Sequence, residues 1–195
     1  MKKVLIIGAG GIGSYFSEAM FDLIMKNQIN LDEYEFYVAD MDSVEQKNIL
    51  YQNFTVEDLF KNKSRVIGDR YRLVYIEEKI EEQHLAQYDM YVICADNGRI
   101  RKEVFEHAKN FDKPFIDLRS EGRTIAFFTH EMPLDELRAT LNDETLDNSG
   151  SCQLKHEFDK GIIQVGNKII AIMGAQLFLN YVRQEPLLAQ FIQRF

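Results

Sequence analysis

Val4-Leu5-Ile6-Ile7-Gly8-Ala9-Gly10-Gly11-Ile12-Gly13 is the stretch on which the reading of this chain turns. Its four leading residues are apolar and mostly β-branched, which suits a short strand buried on both faces. Gly8, Gly10 and Gly13 then fit the pattern GxGxxG, and the residues after them carry a helical pattern to about Asn27. Between a strand and a helix, such glycines permit a tight turn and leave free backbone amides at the helix N-terminus for a phosphate. A glycine turn that only packs a helix on a sheet would read the same, so a nucleotide needs support from elsewhere in the chain.

Outward from this unit, strand-like runs recur at Glu35–Ala39, Tyr71–Ile76, Met90–Cys94, Pro114–Leu118 and Thr124–Thr129. Residues 43–70 read as short helical pieces and loop, and Asn97–Phe111 has apolar residues at helical spacing. Repeated alternation of strand and helix predicts an α/β fold with a doubly wound, mostly parallel sheet of Rossmann-like type. Residues 130–160 turn polar and are expected to form a mobile crossover loop within a single domain spanning 1–195. Residues 167–184 are apolar nearly all round, which places a helix at the domain centre or in a subunit interface.

Composition narrows the function classes. The 195 residues are 46% hydrophobic, and a chain of this length buries roughly 70% of its unfolded surface, enough for one substantial core. With 23 basic and 31 acidic residues the net charge is −8, which offers no electrostatic footprint for nucleic acid or an anionic membrane. Cys94 and Cys152 lie far apart with no CxxC, so neither a disulfide framework nor a structural zinc is expected. His84, His107, His130 and His156 are not spaced for a metal site. The apolar run Ile169–Leu179 is too short to span a bilayer and no leader pattern opens the chain, so a reducing cytoplasmic location is expected.

Asp40, at the end of the second strand, is positioned to accept from a ribose hydroxyl. It lies further from the glycines than the usual dinucleotide spacing of about 20 residues, which disfavours plain NAD binding. The residues from Asp40 to Gln52 then resemble the motif DxDxVxxxNLxRQ of the ThiF/MoeB/HesA family, the adenylating superfamily that includes ubiquitin-activating enzymes. Gly8 to Gly13, with Gly11 as an extra glycine, resembles that family's GxGGxG. Leu59-Phe60-Lys61-Asn62-Lys63 is similar to its phosphate-lysine segment, Tyr91 to Asn97 to its strand ending in Asp-Asn, and Gly161 to Tyr181 to its C-terminal glycine-plus-helix segment.

The resemblance implies ATP and Mg²⁺ as cofactors and a homodimer that adenylates the C-terminal carboxylate of a small ubiquitin-like or sulfur-carrier protein. Gly10, Gly11 and Gly13 would take phosphate and Asp40 ribose, with Gly8, Asp42, Gln52 and Asn97 in the same nucleotide set. Asn48 and Lys63 would contact phosphates, Asp96 would hold Mg²⁺, and Arg101 would sit near the acceptor carboxylate. As structural alternatives, Asp96-Asn97 would cap the following helix, and Lys63 and Arg101 would be solvated surface charge.

Three departures stand beside the resemblance. Tyr51 replaces the motif's arginine, with Arg65, Arg70 and Arg99 as possible substitutes. The sequence opens on its first strand, where family members carry a helix that lends an arginine across a dimer. The paired CxxC motifs of the family's zinc site are missing. Cys152 occupies a polar loop near Lys155 and His156, in the region where relatives carry an acceptor cysteine; an incidental small residue is the plainer reading. Two rival functions remain: a non-catalytic partner in a heterodimer, supported by Tyr51, and an NAD-dependent oxidoreductase, supported by the glycine turn and Asp40.

Overall fold

The structure, a computed structural model, describes residues 1–141 and 165–195. Seven strands form one sheet in the order β3-β2-β1-β4-β5-β6-β7. These are β1 (Lys2–Ile7), β2 (Tyr34–Ala39), β3 (Val74–Ile76), β4 (Met90–Ile93), β5 (Phe115–Glu121), β6 (Thr124–Thr129) and β7 (Gln190–Arg194). The first five are parallel, and β6 and β7 add an antiparallel edge. The helices are α1 (Gly11–Met25), α2 (Lys63–Tyr71), α3 (Glu82–Leu85), α4 (Gly98–Asn110), α5 (Leu134–Ala139) and α6 (Gly166–Val182). Two 3₁₀ turns, Gln46–Leu50 and Val56–Asp58, precede α2.

The apolar run of β1 divides its side chains between two cores. Val4 and Ile6 join Phe16, Met20, Phe36 and Phe178 on the face covered by α1, α2 and α6. Leu5 and Ile7 join Tyr91, Phe105, Phe115 and Leu137 on the face covered by α3, α4 and α5. The run is apolar throughout because both faces are covered, whereas a one-sided sheet would alternate. The doubly wound, mostly parallel sheet expected from the alternation of elements is the observed fold.

Helix α6 takes the central of its two expected places. It packs on α1, β5 and β6, and Phe178 is fully buried with its ring 5.7 Å from Tyr34 and 5.5 Å from Phe36. Gly174 faces Leu118, where a Cβ would meet Leu118 Cδ1 at 2.4 Å, so the helix approaches the sheet more closely than any larger residue allows.

Three elements differ from the sequence reading. The third strand begins at Val74, not Tyr71, because α2 runs through Tyr71 and ends where Arg72 adopts a left-handed conformation at φ 59°. Alternating apolar Tyr71 and Leu73 suggest a strand, but Tyr71 continues the helix face of Ile67 and Gly68. Within the polar stretch from residue 130, Leu134–Ala139 forms α5, anchored by fully buried Leu137. The edge strand β7 has no sequence signal of its own and exists by pairing with β6, with Phe191 stacked 5.6 Å from Phe127. No helix among the described residues is long and apolar enough to cross a membrane.

Phe178→Ala should leave a cavity between α6 and β2 and cost roughly 3–5 kcal/mol, read as a lower denaturant midpoint in equilibrium unfolding.

Candidate functional site

Strand register assembles the site. Ile7 pairs with Ala39 on one side and with Ile93 on the other, so the next residues, Gly8, Asp40 and Cys94, emerge side by side at one edge of the sheet. Gly8 N donates to Ala39 O at 2.8 Å, and Cys94 N donates to Ile7 O at 2.8 Å. Between β1 and β4 the strand order reverses direction, which is where ligands sit in open parallel sheets. A cleft of about 940 Å³ opens there.

The glycine turn forms its floor. Gly8 has φ +94°, a left-handed conformation that glycine adopts without cost, and a Cβ there would lie 2.9 Å from Ala95 N. Gly13 packs α1 onto the turn so closely that a Cβ would lie 1.9 Å from Gly8 O. Gly8, Gly10 and Gly11 line the cleft, while Gly13 lies beneath it and serves the packing of helix on strand.

Asp40 ties the second wall to this turn. Its Oδ2 accepts from Ala9 N at 2.7 Å and its Oδ1 from Asp42 N at 2.9 Å. Its carbonyl accepts from Asn62 Nδ2 at 2.9 Å and from the Ser64 hydroxyl. Burial pushes the Asp40 carboxyl above its ordinary pKa, against the opposing effects of Lys63 and the two amides. Each oxygen keeps further acceptor capacity for a hydroxyl donor, and Asp40 lines the cleft.

The motif residues converge on this wall. Asn48, Gln52 and Lys63 are buried and line the cleft. Asn48 Oδ1 accepts from Glu45 N at 2.8 Å, which closes the 3₁₀ turn. Lys63 Nζ donates to Asp42 Oδ2 at 3.1 Å, so two expected nucleotide contacts are paired with each other. Gln52 lies over Gly10, and its Oε1 is buried without a hydrogen-bond partner.

Across the cleft, Asp96 reaches solvent at the end of β4 and has no ion-pair partner among the described residues. Partial burial raises its carboxyl pKa, with Arg101 and Lys63 pulling the other way. Asn97 is the N-cap of α4, its Oδ1 accepting from Arg99 N at 2.8 Å and Ile100 N at 3.4 Å. The capping reading of Asn97 is therefore realised, while its side chain still borders the cleft. Among the described residues no cluster of three metal-ligating side chains occurs. A carboxylate facing the glycine turn nonetheless fits the donor set of Mg²⁺, which takes one or two carboxylates besides phosphate oxygens and water.

Arg101 does not join this group. Its Nε donates to Asp117 Oδ1 at 2.9 Å and its Nη2 to Leu118 O, inside the protein behind the cleft wall. Fully buried Asp117 also accepts from Arg119 Nε at 2.7 Å, a network with no sequence motif to announce it. Arg101 reaches the cleft only through its field on Asp96. Of the possible substitutes for the missing arginine, Arg70 pairs with Asp58 at 2.6 Å and Arg65 lies near Asp69 and Glu77, both away from the cleft. Arg99 alone of the three lines it, 2.9 Å from Glu103. Tyr51 does line the cleft, and so do Lys47 and Lys79, two cations that sequence reasoning passed over. Lys47 sits within the motif segment and was legible there; Lys79 belongs to a connection with no motif. Cys94 is buried just after β4 against the glycine turn. Cys152 and the residues around it lie outside the described residues.

A model of the ThiF family matches residues 1–194. The chain belongs to the ThiF family. Among solved structures it is similar to E. coli MccB bound to ATP, with a TM-score of 0.69 and 20% identity over 100% of this chain and 60% of that one. MccB with succinimide gives a TM-score of 0.71 at 19% identity, again over 100% of this chain and 60% of the other. PaaA gives 0.67 at 19% identity, covering 100% and 61%. The ThiF chain described here thus spans about 60% of the length of these neighbours. A comparison with curated proteins returned no match.

Replacing Asp40 by asparagine turns one acceptor of this ThiF cleft into a donor that faces a backbone amide. Asp40→Asn should cost about 1–3 kcal/mol, measured by chemical unfolding without ligand. Glu45→Gln, on the exposed rim, should leave stability near wild type.

Proposed function

We propose that this chain is an ATP-dependent adenylyltransferase that activates the terminal carboxylate of a peptide or small carrier protein, of the ubiquitin-like or sulfur-carrier kind. The reading is carried by one observation: a ThiF-family cleft joins a glycine turn, a buried lysine and a carboxylate without an ion-pair partner among the described residues at one sheet edge. MccB structures hold ATP in one case, and AMPCPP together with MccA in another, which supports a nucleotide and an acceptor meeting in such a cleft.

In the proposed reaction an acceptor carboxylate oxygen attacks the α-phosphorus of ATP, pyrophosphate leaves, and an acyl adenylate forms. The amides at the start of α1 would hold phosphate oxygens, and Asp40 would accept from the ribose. Lys63, released from Asp42 or shared with it, would neutralise charge growing on the leaving pyrophosphate. Asp96 would hold Mg²⁺, whose chemistry when bound is to bridge and neutralise phosphate oxygens. The chain's own contribution is alignment and fixed charge, which suits a transfer with little covalent work for the protein. A homodimer and a cytoplasmic location complete the proposal.

Tyr51 favours a second reading, a nucleotide-binding member whose partner supplies the missing guanidinium. A phenol borders the cleft where the family motif has arginine, and it offers no fixed positive charge to phosphate. The NAD reading rests only on the glycine turn and Asp40, and ThiF membership favours the adenylylation reading over it.

Lys63→Ala should weaken ATP binding roughly 10- to 150-fold by calorimetry, with adenosine affinity unchanged, because only charged phosphates use the ammonium. Equal loss for both ligands would show that the fold, rather than the phosphate site, had failed. Pyrophosphate exchange separates the two readings. Exchange by the wild-type chain with a carrier tail supports catalysis without the arginine. Silence in the wild type with exchange gained in Tyr51→Arg supports the partner-dependent reading.

A further inference from the structure

Asn167 is a buried carboxamide beside the glycine turn of the cleft. It occupies the first turn of α6, is 1% exposed, and has no hydrogen-bond partner among the described residues for either Nδ2 or Oδ1. A buried carboxamide with nothing to bond is unfavourable, and an apolar residue of the same shape would relieve it. Its neighbour is the phosphate-accepting turn. A Cβ built on Gly11, the first residue of α1, would lie 2.4 Å from Asn167 Nδ2 and 3.1 Å from its Cγ. With Asn167 in this position, a side chain at position 11 would force the carboxamide to move.

The N-termini of the two helices lie side by side at this contact. Gly11 begins α1 and Gly166 begins α6, and among the described residues neither the Gly10 N-cap nor the Val165 N-cap makes a side-chain cap hydrogen bond. The positive ends of both helices thus gather at the Gly11–Asn167 contact. On the other flank of the turn Gln52 lies 3.8 Å from the Cβ position of Gly10, with its Oε1 likewise buried and unpartnered. Two buried carboxamides, one on each side of the Gly10–Gly11 peptide, are left with open hydrogen-bonding capacity.

We propose that Asn167 is a positioning residue of the phosphate site: from the start of α6 its carboxamide seats the Gly10–Gly11 turn, and it gains its hydrogen-bond partners there when a polyphosphate occupies that turn. The proposal rests on the nucleotide reading above and adds to it a residue outside the glycine and Asp40–Gln52 motifs. Asn167 acts through the turn and not on the reacting atoms. It also links nucleotide occupancy to the central helix, since α6 is packed along α1 and the sheet.

The test compares apo stability with ligand response. Asn167→Leu removes the unsatisfied polar atoms while keeping bulk, so the apo melting temperature should equal or exceed that of the wild type. Its ATP affinity should fall roughly tenfold or more, with adenosine affinity retained, since only the phosphates depend on the turn. Gly11→Ala should also lose ATP affinity, and the double variant Gly11→Ala/Asn167→Ala, which removes the collision, should recover stability without recovering ATP binding. A residue that merely packs gives the opposite pattern: a less stable Asn167→Leu protein with wild-type ATP affinity, or a double variant with ATP binding restored. Either outcome overturns the proposal, as does equal loss of ATP and adenosine. A wild-type chain that does not bind ATP overturns the nucleotide reading itself and this proposal with it, and is told apart by needing no variant.

Discussion

Asp40 gives both carboxylate oxygens and both backbone groups to neighbours, all but Asp42 distant in sequence. The carboxylate holds Ala9 N in the glycine turn and Asp42 N at the start of the motif segment. The carbonyl takes Asn62 and Ser64 at the head of α2, and the amide donates to Ile76 O on β3. One residue at the end of β2 therefore locks the turn after β1, the connection to α2 and the edge strand into one frame. A side chain that could accept only one of those amides would loosen the turn at the point where a phosphate must find its donors in place. Burial raises the carboxyl pKa, yet two amides and the nearby ammonium of Lys63 are arranged to favour its charged form.

The same frame explains why the cleft combines opposite charges without collapsing. Lys63 is buried and pairs with Asp42, which is largely exposed. Solvent weakens that pair, so the ammonium remains available to a more highly charged anion. Asp96 faces it from the loop after β4 without an ion-pair partner among the described residues, and buried Arg101 and half-buried Arg119 share one carboxylate, Asp117, behind the wall. Two guanidinium groups on one carboxylate leave positive charge beneath the Asp96 side of the cleft. An acidic chain can thus present a site for polyanions, because local arrangement and not net charge sets the field at the turn.

The fold was largely legible because its signals are local. β1, the glycine turn and α1 follow from apolar residues and glycines in immediate succession, and strand order then follows from right-handed crossovers. Much of the candidate site was legible for a related reason: Gly8, Gly10, Gly11, Asp40, Asp42, Asp96 and Asn97 lie at or just after strand ends, and parallel register gathers those ends along one edge. Asn48, Gln52 and Lys63 instead follow between β2 and the start of α2 and were legible through the motif resemblance. Arg101 was misplaced because its position on α4 gives its sequence neighbourhood but not the direction of its side chain, which Asp117 on β5 attracts inward. The boundary at Tyr71 was misread because a few alternating apolar residues fit both a helix end and a strand.

By itself the sequence determined the doubly wound sheet, the glycine turn and the set of residues at the strand ends, since each depends on short-range pattern and the few connections a parallel sheet permits. Tertiary structure alone decided which charges face the cleft and which neutralise one another, that β7 pairs with β6, and that Asn167 rests against Gly11. Those outcomes depend on contacts between residues far apart in the chain, where burial and hydrogen-bonding partners are set by packing and carry no local signature.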